Sequence, residues 1–275
     1  MVVKKASGSN KRSMTTSGGL KSMSKLVSVI IPSHPNRIEQ RKKVVRMVKK
    51  QTYPNLEIIV ETGGNNAQEA RNIGIRKAKG KYIAMLDDDD AWHPNKIKEQ
   101  VKVMEENPDC GICITWAKDL RLQDKGIEMD YTPKKEITYS DMLRGFAIAP
   151  TSTFLIREKC IDELGGFRED FRFAHEYELA LRYAKHGWRI LCIQKYLTYY
   201  GKYSSSRLSD NYSDYIRGHF DLLRVYGKDM AKESIIFSLL RQTACIPLFF
   251  IGIFNRNLMH KFFYRFKRLH TQGRL

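Results

Sequence analysis

The sequence is short of acid at both ends. Residues 1–25 contain no Asp or Glu against six Lys/Arg, and residues 234–275 contain none against seven. Between them 35 basic and 30 acidic residues nearly balance, so most of the formal charge of +18 sits on the two extensions. That distribution argues against a specific nucleic-acid binder, which carries its excess on a folded surface with a motif of defined spacing. The first 25 residues lack the apolar run of a secretory signal. Nowhere do 18 uncharged apolar residues follow one another: the nearest stretch, Ser234–Phe254, is broken by Arg241, Gln242 and Pro247. Cysteine is sparse and odd in number, five in 275 residues, which fits a reduced, cytoplasmic setting. Cys110-Gly-Ile-Cys113 has redox or zinc spacing, but no second pair completes a zinc site, and small buried strand residues are the plainer reading.

What the chain does have is a globular composition, 42% hydrophobic and 28% charged. Residues 1–25, rich in Ser, Gly, Lys and Thr, read as a disordered basic arm. Val27–Ile31, Leu56–Val60 and Tyr82–Leu86 are short continuous apolar runs, the pattern of strands buried on both faces of a parallel sheet. Between the first two, Ile38, Arg41, Val44, Val45 and Val48 follow helical spacing. Ala67–Lys79 is helix-like and stops at Gly80, and Pro94 can open a helix carrying Ile97, Val101 and Met104 on one face. Residues 26–106 therefore read β-α-β-α-β-α, an open and mostly parallel sheet covered by helices. Further strands are expected at Gly111–Ala117, Ser152–Arg157 and Arg189–Ile193, and helices at Glu176–His186 and Tyr212–Met230.

The densest local signal is Asp87-Asp88-Asp89-Asp90, directly after the buried run Tyr-Ile-Ala-Met-Leu. Ligands of open parallel sheets sit outside the carboxyl ends of the strands. Four adjacent carboxylates repel one another, and a divalent cation relieves that repulsion. Mg²⁺ or Mn²⁺ takes a few carboxylates together with phosphate oxygens, so a nucleotide diphosphate bridged by metal is a natural tenant. The plainer reading of the same run is a solvated acidic turn that caps the Pro94 helix.

Val27-Ser-Val-Ile-Ile-Pro-Ser-His34, Gln51-Thr-Tyr-Pro-Asn-Leu-Glu-Ile-Ile-Val60, Ala70-Arg-Asn-Ile-Gly74 and Gly80-Lys-Tyr-Ile-Ala-Met-Leu-Asp-Asp-Asp-Asp90 occur in this order. Leu164-Gly-Gly-Phe167 and Glu176–Arg189 follow them. Together they resemble the family-2 glycosyltransferases, inverting enzymes of GT-A fold, over roughly residues 26–209. The resemblance implies a Rossmann-like catalytic domain at 26–210, with a nucleotide-binding half at 26–106 and an acceptor half at 107–210. It implies transfer from a nucleotide-diphosphate sugar, a UDP-sugar favoured, to a glycan, lipid-linked or protein acceptor hydroxyl.

The resemblance also assigns residues. Pro32, Ser33 and His34 fall against the nucleotide base, and Glu61 stands where the family has a base-reading Asp. Arg71 lies near base and phosphates. Asp89 is the implied ligand of Mg²⁺ or Mn²⁺, with Asp87 and Asp88 completing the metal shell or holding the ribose; Asp90 caps the next helix, and Trp92 either lines the pocket or packs. Glu176 occupies the position of the catalytic base, with His175 as the alternative. Lys202 and Arg207 are candidates for the diphosphate.

Residues 211–275 read as a helical basic amphipathic extension. Within it, residues 246–270 mix Phe249, Phe250, Ile251, Ile253, Phe254, Leu258, Phe262, Phe263 and Phe266 with Arg and Lys and no acid, a composition suited to the surface of an anionic membrane. The expectation is thus a peripheral enzyme on the cytoplasmic face of a membrane, serving cell-surface glycan, polysaccharide or glycolipid synthesis. The competing readings are a non-catalytic nucleotide-binding or membrane-associated protein on the same fold, and a nucleic-acid binder.

Overall fold

A computed structural model describes residues 2–4, 24–120, 129–145, 148–171, 173–201 and 212–233. Strands β2 (Val27–Pro32), β3 (Leu56–Glu61) and β4 (Tyr82–Met85) alternate with helices α1 (Ile38–Lys49) and α2 (Ala67–Lys77). The short β5 (Ala91–Trp92) and helix α3 (Lys96–Glu106) lead to β6 (Cys110–Asp119). Then come β7 (Met129–Tyr131), β8 (Glu136–Ile137), α4 (Tyr139–Arg144), β9 (Leu155–Arg157), α5 (Glu158–Leu164), α6 (His175–Lys185), β10 (Arg189–Tyr200) and α7 (Tyr212–Glu233). With β1 (Val2–Lys4) the strands form one sheet in the order β1-β3-β2-β4-β9-β6-β10-β5. The long strands β2, β3 and β4 pair in parallel, as do β6 and β10, and β9 lies antiparallel between the two groups. This is the expected GT-A type of mixed α/β sheet.

The chain leaves β2 to one side, toward β3, and returns on the other side at β4. The switch point therefore lies beyond the carboxyl ends of β2 and β4, where an open α/β sheet has its crevice. The alternation along β2 shows why both faces close: Val27, Val29 and Ile31 pack with Val44 and Val48 of α1 and Ile97 and Val101 of α3, while Ile30 faces the opposite layer. Burying each such side chain contributes about 1.5–3 kcal/mol. On the second face α2 comes so close that a Cβ at Gly74 would stand 2.5 Å from Cγ2 of Ile30. Asn66 caps α2, its side chain accepting from Glu69 N at 2.9 Å.

Several expectations shift. The basic arm is not wholly without order: Val2–Lys4 adds antiparallel to β3, because two β-branched residues can cover what would be a bare strand edge. The strand expected from Ser152 begins only at Leu155. Pro150 O accepts from Thr153 N and Thr153 Oγ1, which winds Thr151–Thr153 into a 3-10 turn. The first part of the C-terminal extension belongs to the core. Leu222, Tyr226 and Met230, four apart on α7, are buried against α4 and α6, and Asp229 takes bonds from Tyr139 and Lys185. No helix among the described residues is long and apolar enough to cross a membrane.

Candidate active site

Asp87 to Asp90 follow β4 at the switch point, and each carboxylate meets a different neighbourhood. Asp87 Oδ1 accepts from Arg71 Nη2 at 2.6 Å, and Asp87 N donates to Ser152 Oγ at 2.9 Å. Asp88, buried, accepts from Ser33 Oγ at 2.6 Å and from Arg37 Nη1 at 2.6 Å. Burial pushes its proton affinity above the usual carboxylate range despite those two donors. Asp89 meets no side-chain donor among the described residues, and burial, then the charge of Asp87, pushes it up as well. Asp90 is fully buried. Its Oδ1 accepts from Gly201 N at 2.6 Å, while its Oδ2 has no hydrogen-bond partner among the described residues. Burial and the charges of Asp89 and Asp87 raise it strongly. The expectation that Asp90 caps α3 is therefore corrected: it ties the acidic loop to the end of β10. Trp92 packs, with its ring N–H donating to Ser152 O at 2.7 Å.

The same network reaches α6. Arg71, buried on α2, is held over the Phe167 ring and spans from Asp87 to His175, its Nη1 lying 2.9 Å from His175 Nε2. Gln68, one turn earlier on α2, places its amide nitrogen 2.8 Å from Phe171 O and 3.1 Å from His175 Nδ1. Both ring nitrogens of His175 thus face donors, and burial lowers its proton affinity. Such a ring is held neutral, so one of its nitrogens accepts and the other carries the N–H. Glu176, next along, has an oxygen 3.5 Å from His175 Nε2 and a side chain 30% exposed. The turn that aims both comes from Ala174, with φ 57° among the described residues the one positive value outside glycine. A left-handed alanine costs about 1–2 kcal/mol; the bond from Glu178 N to Ala174 O and the burial of its methyl hold it.

The nucleotide residues divide. Ser33 joins the acidic loop through Asp88, and Pro32 precedes it at the end of β2. His34 is exposed and turned to its own loop, its Nδ1 accepting from Asn36 N at 3.3 Å. Glu61 collects N–H groups of Thr62 and Gly63 at 3.1 and 2.8 Å and Lys77 Nζ at 2.5 Å. Burial alone would raise its pKa, but Lys77 and the Gly63 N–H outweigh that and hold it below the usual range. Lys202 and Arg207 lie outside the described residues. Sequence reasoning missed Arg37, Gln68, Ser152 and Ala174. None of them belongs to a run of like residues, and each matters only through the fold that brings it to the loop.

Whether this loop suits a divalent cation can be judged from its own atoms. Among the described residues no three His, Cys, Asp or Glu side chains converge as a metal cage. Mg²⁺ and Mn²⁺ held jointly with a diphosphate need only one or two carboxylates. Asp89, without a side-chain donor among the described residues and beside Asp87, would suit such a role, and the hard oxygen set fits.

Residues 50–165 match the sequence model of glycosyl transferase family 2. Over that stretch the chain is similar to the glycosyltransferases of family 2. It is 27% identical over 190 residues to an uncharacterized glycosyltransferase of Rickettsia prowazekii, covering 58% of this chain and 59% of that one. It is also 27% identical over 157 residues to the UDP-Glc:alpha-D-GlcNAc-diphosphoundecaprenol beta-1,3-glucosyltransferase of Escherichia coli, 48% of this chain and 60% of that one. The chain thus spans well under two thirds of these curated relatives. Among solved structures the fold is shared with Staphylococcus aureus TarS in complex with UDP-GlcNAc, at TM-score 0.55 and 16% identity, covering 72% of this chain and 66% of that one. A Pyrobaculum calidifontis mannosyltransferase in complex with GDP-Man and Mn²⁺ has TM-score 0.52 and 14% identity, covering 91% and 85%.

Proposed function

We propose that this chain transfers a sugar, with inversion, from a nucleotide-diphosphate sugar to an acceptor hydroxyl. The observation that carries the reading is the continuous contact from Asp87 through Arg71 to His175 and its neighbour Glu176. It couples an under-neutralised acidic loop at the switch point to a half-buried carboxylate on α6. In the proposed reaction Glu176 takes the proton of the acceptor hydroxyl as that oxygen bonds to the anomeric carbon. The bond from that carbon to the diphosphate oxygen breaks on the opposite face, and its electron pair leaves on the diphosphate. His175, with both nitrogens facing donors, suits positioning better than proton transfer. Arg71 fixes Asp87, and Ser33 with Arg37 fix Asp88. Mg²⁺ or Mn²⁺, held by Asp89 with Asp87, would neutralise the departing diphosphate.

The E. coli relative, by its name, uses UDP-Glc and a diphosphoundecaprenol-linked sugar. That supports a UDP-sugar donor and a glycolipid acceptor in this reading, and with them work at the cytoplasmic face of a membrane. Residues 246–270, which would touch that surface, lie outside the described residues. The test is donor turnover by the purified chain with UDP-glucose, UDP-GlcNAc and GDP-mannose, with Mn²⁺ and with chelator. The expected result is metal-dependent release of one nucleotide diphosphate, lost in Glu176→Gln. Nucleotide binding without turnover of any donor would overturn it in favour of a non-catalytic protein.

A further inference from the structure

A second charged feature lies outside the acidic loop. Lys43, Arg46 and Lys50 stand at i, i+3 and i+7 of α1 and share one side of the helix. With Met47, Ala91, Trp92 and Tyr199 they line a cavity of about 370 Å³, at the small end of the range of ligand pockets. No carboxylate is among its described lining residues. The one acid of α1, Glu39, pairs with Lys42 at 2.9 Å and also feels the charges of Lys43 and Arg46. Like charges three and four apart on a helix repel, so this stripe gains from an anion held among the three.

The floor of the cavity is rigid. Trp92 is 4% exposed, its backbone N–H meets Met47 Sδ at 3.0 Å and its ring N–H meets Ser152 O. The buried Lys96 amine lies against the ring, 4.1 Å from its centroid, and donates to Gln100 Oε1 at 2.7 Å. A fixed indole beside Tyr199 and Met47 suits a carbon skeleton, and the cations above it suit its charged end. The arrangement is distinct from the nucleotide loop. Arg37, which holds Asp88, begins α1, and Lys43 to Lys50 follow about 9–20 Å further along the axis.

We propose that the C-terminal half of α1 and β5 form a phosphoester-binding pocket separate from the Asp87–Asp90 site. Its ligand places a phosphate among Lys43, Arg46 and Lys50 and its carbon skeleton over Trp92 and Tyr199. The proposal does not depend on the transfer reaction, and it concerns binding alone. The phosphoester is either free in solution or the headgroup of an anionic lipid, and one experiment separates the two. The full chain is titrated with glycerol 3-phosphate by calorimetry, and in parallel floated with vesicles of phosphatidylglycerol in phosphatidylcholine. Both are repeated with Lys43→Gln/Arg46→Gln/Lys50→Gln and with a control of equal charge, Lys98→Gln/Lys102→Gln/Lys159→Gln.

For a free phosphoester, glycerol 3-phosphate binds and weakens about tenfold or more in the pocket variant alone, as expected for lost charge-assisted bonds. For a lipid headgroup, glycerol 3-phosphate fails to bind, and vesicle binding weakens in the pocket variant and not in the control. Equal loss in both variants would make the effect diffuse charge and overturn the pocket. So would retention of both probes by the pocket variant, or binding of neither probe by the wild type.

Discussion

At the end of β3, Glu61 accepts two backbone N–H groups and a lysine, and its proton affinity falls below the ordinary carboxylate range. At the end of β4, two strands away in the sheet, Asp88, Asp89 and Asp90 all rise above it. Burial pushes all four carboxylates up, and the donors that oppose it outweigh it only at Glu61. The β3 turn supplies every charge and N–H its carboxylate needs, and the protein has finished that job itself. The β4 loop gives Asp88 two donors, Asp90 one and an orphaned oxygen, and Asp89 no side-chain donor among the described residues. In the proposed function that difference matters: a carboxylate supplied by its own chain has less to gain from an added cation than a loop left short of positive charge.

The largest effect that sharpens this contrast is on turnover. Glu176→Gln keeps the shape of α6 and removes the proton acceptor, so kcat should fall by about 10²–10⁴-fold with nucleotide binding retained. Single-turnover rates beside nucleotide titration would check it; an unchanged rate would move the base to His175. Next comes the metal. Mn²⁺ at about a hundred times its Kd should stabilise the chain by about 2.7 kcal/mol, read as a thermal shift in the presence of nucleotide diphosphate. Asp89→Asn should abolish that shift and Glu61→Gln should keep it. Equal loss in both would erase the distinction between the two strand ends.

Much of this was legible in residue order. Continuous apolar runs at Val27, Leu56 and Tyr82 marked strands buried on both faces, and the acidic run after the third marked the crevice. The antiparallel insertion of β9 was not legible, since a three-residue strand has no periodicity to distinguish it from a turn. Nor were the donors of Glu61: that its carboxylate takes the N–H groups of Thr62 and Gly63 and the Lys77 amine depends on how the turn after β3 folds. Gln68 and Arg71 sit one turn apart on a helix that reads as ordinary, and only the fold brings α2 against Phe171 and His175. The left-handed Ala174 contradicts its residue type, which is why the start of α6 reads blandly in sequence.

A smaller effect is expected at the β3 end. Glu61→Gln keeps the shape but weakens two charge-assisted N–H bonds, at a cost of about 1–3 kcal/mol of stability near neutral pH. Its folded-state pKa lies below the ordinary 4.5, so its contribution is present above that value and is lost as pH falls through the folded pKa. Denaturation curves of the two proteins should therefore differ at neutral pH and draw together in acid. A gap that widens in acid would reverse the sign.

The smallest effect concerns the cation of that end. Lys77 approaches Glu61 at 2.5 Å, but its side chain is 50% exposed, so solvent and salt screen the pair. Lys77→Met keeps the aliphatic stem that lies along α2 and leaves Glu61 with the N–H groups of Thr62 and Gly63. The expected loss is below about 1 kcal/mol, read as a small fall in urea midpoint with an unchanged slope. A loss as large as that of Glu61→Gln would mean that the turn alone does not satisfy the carboxylate. The β3 end would then depend on a solvent-facing charge, and its difference from the acidic loop would be one of degree.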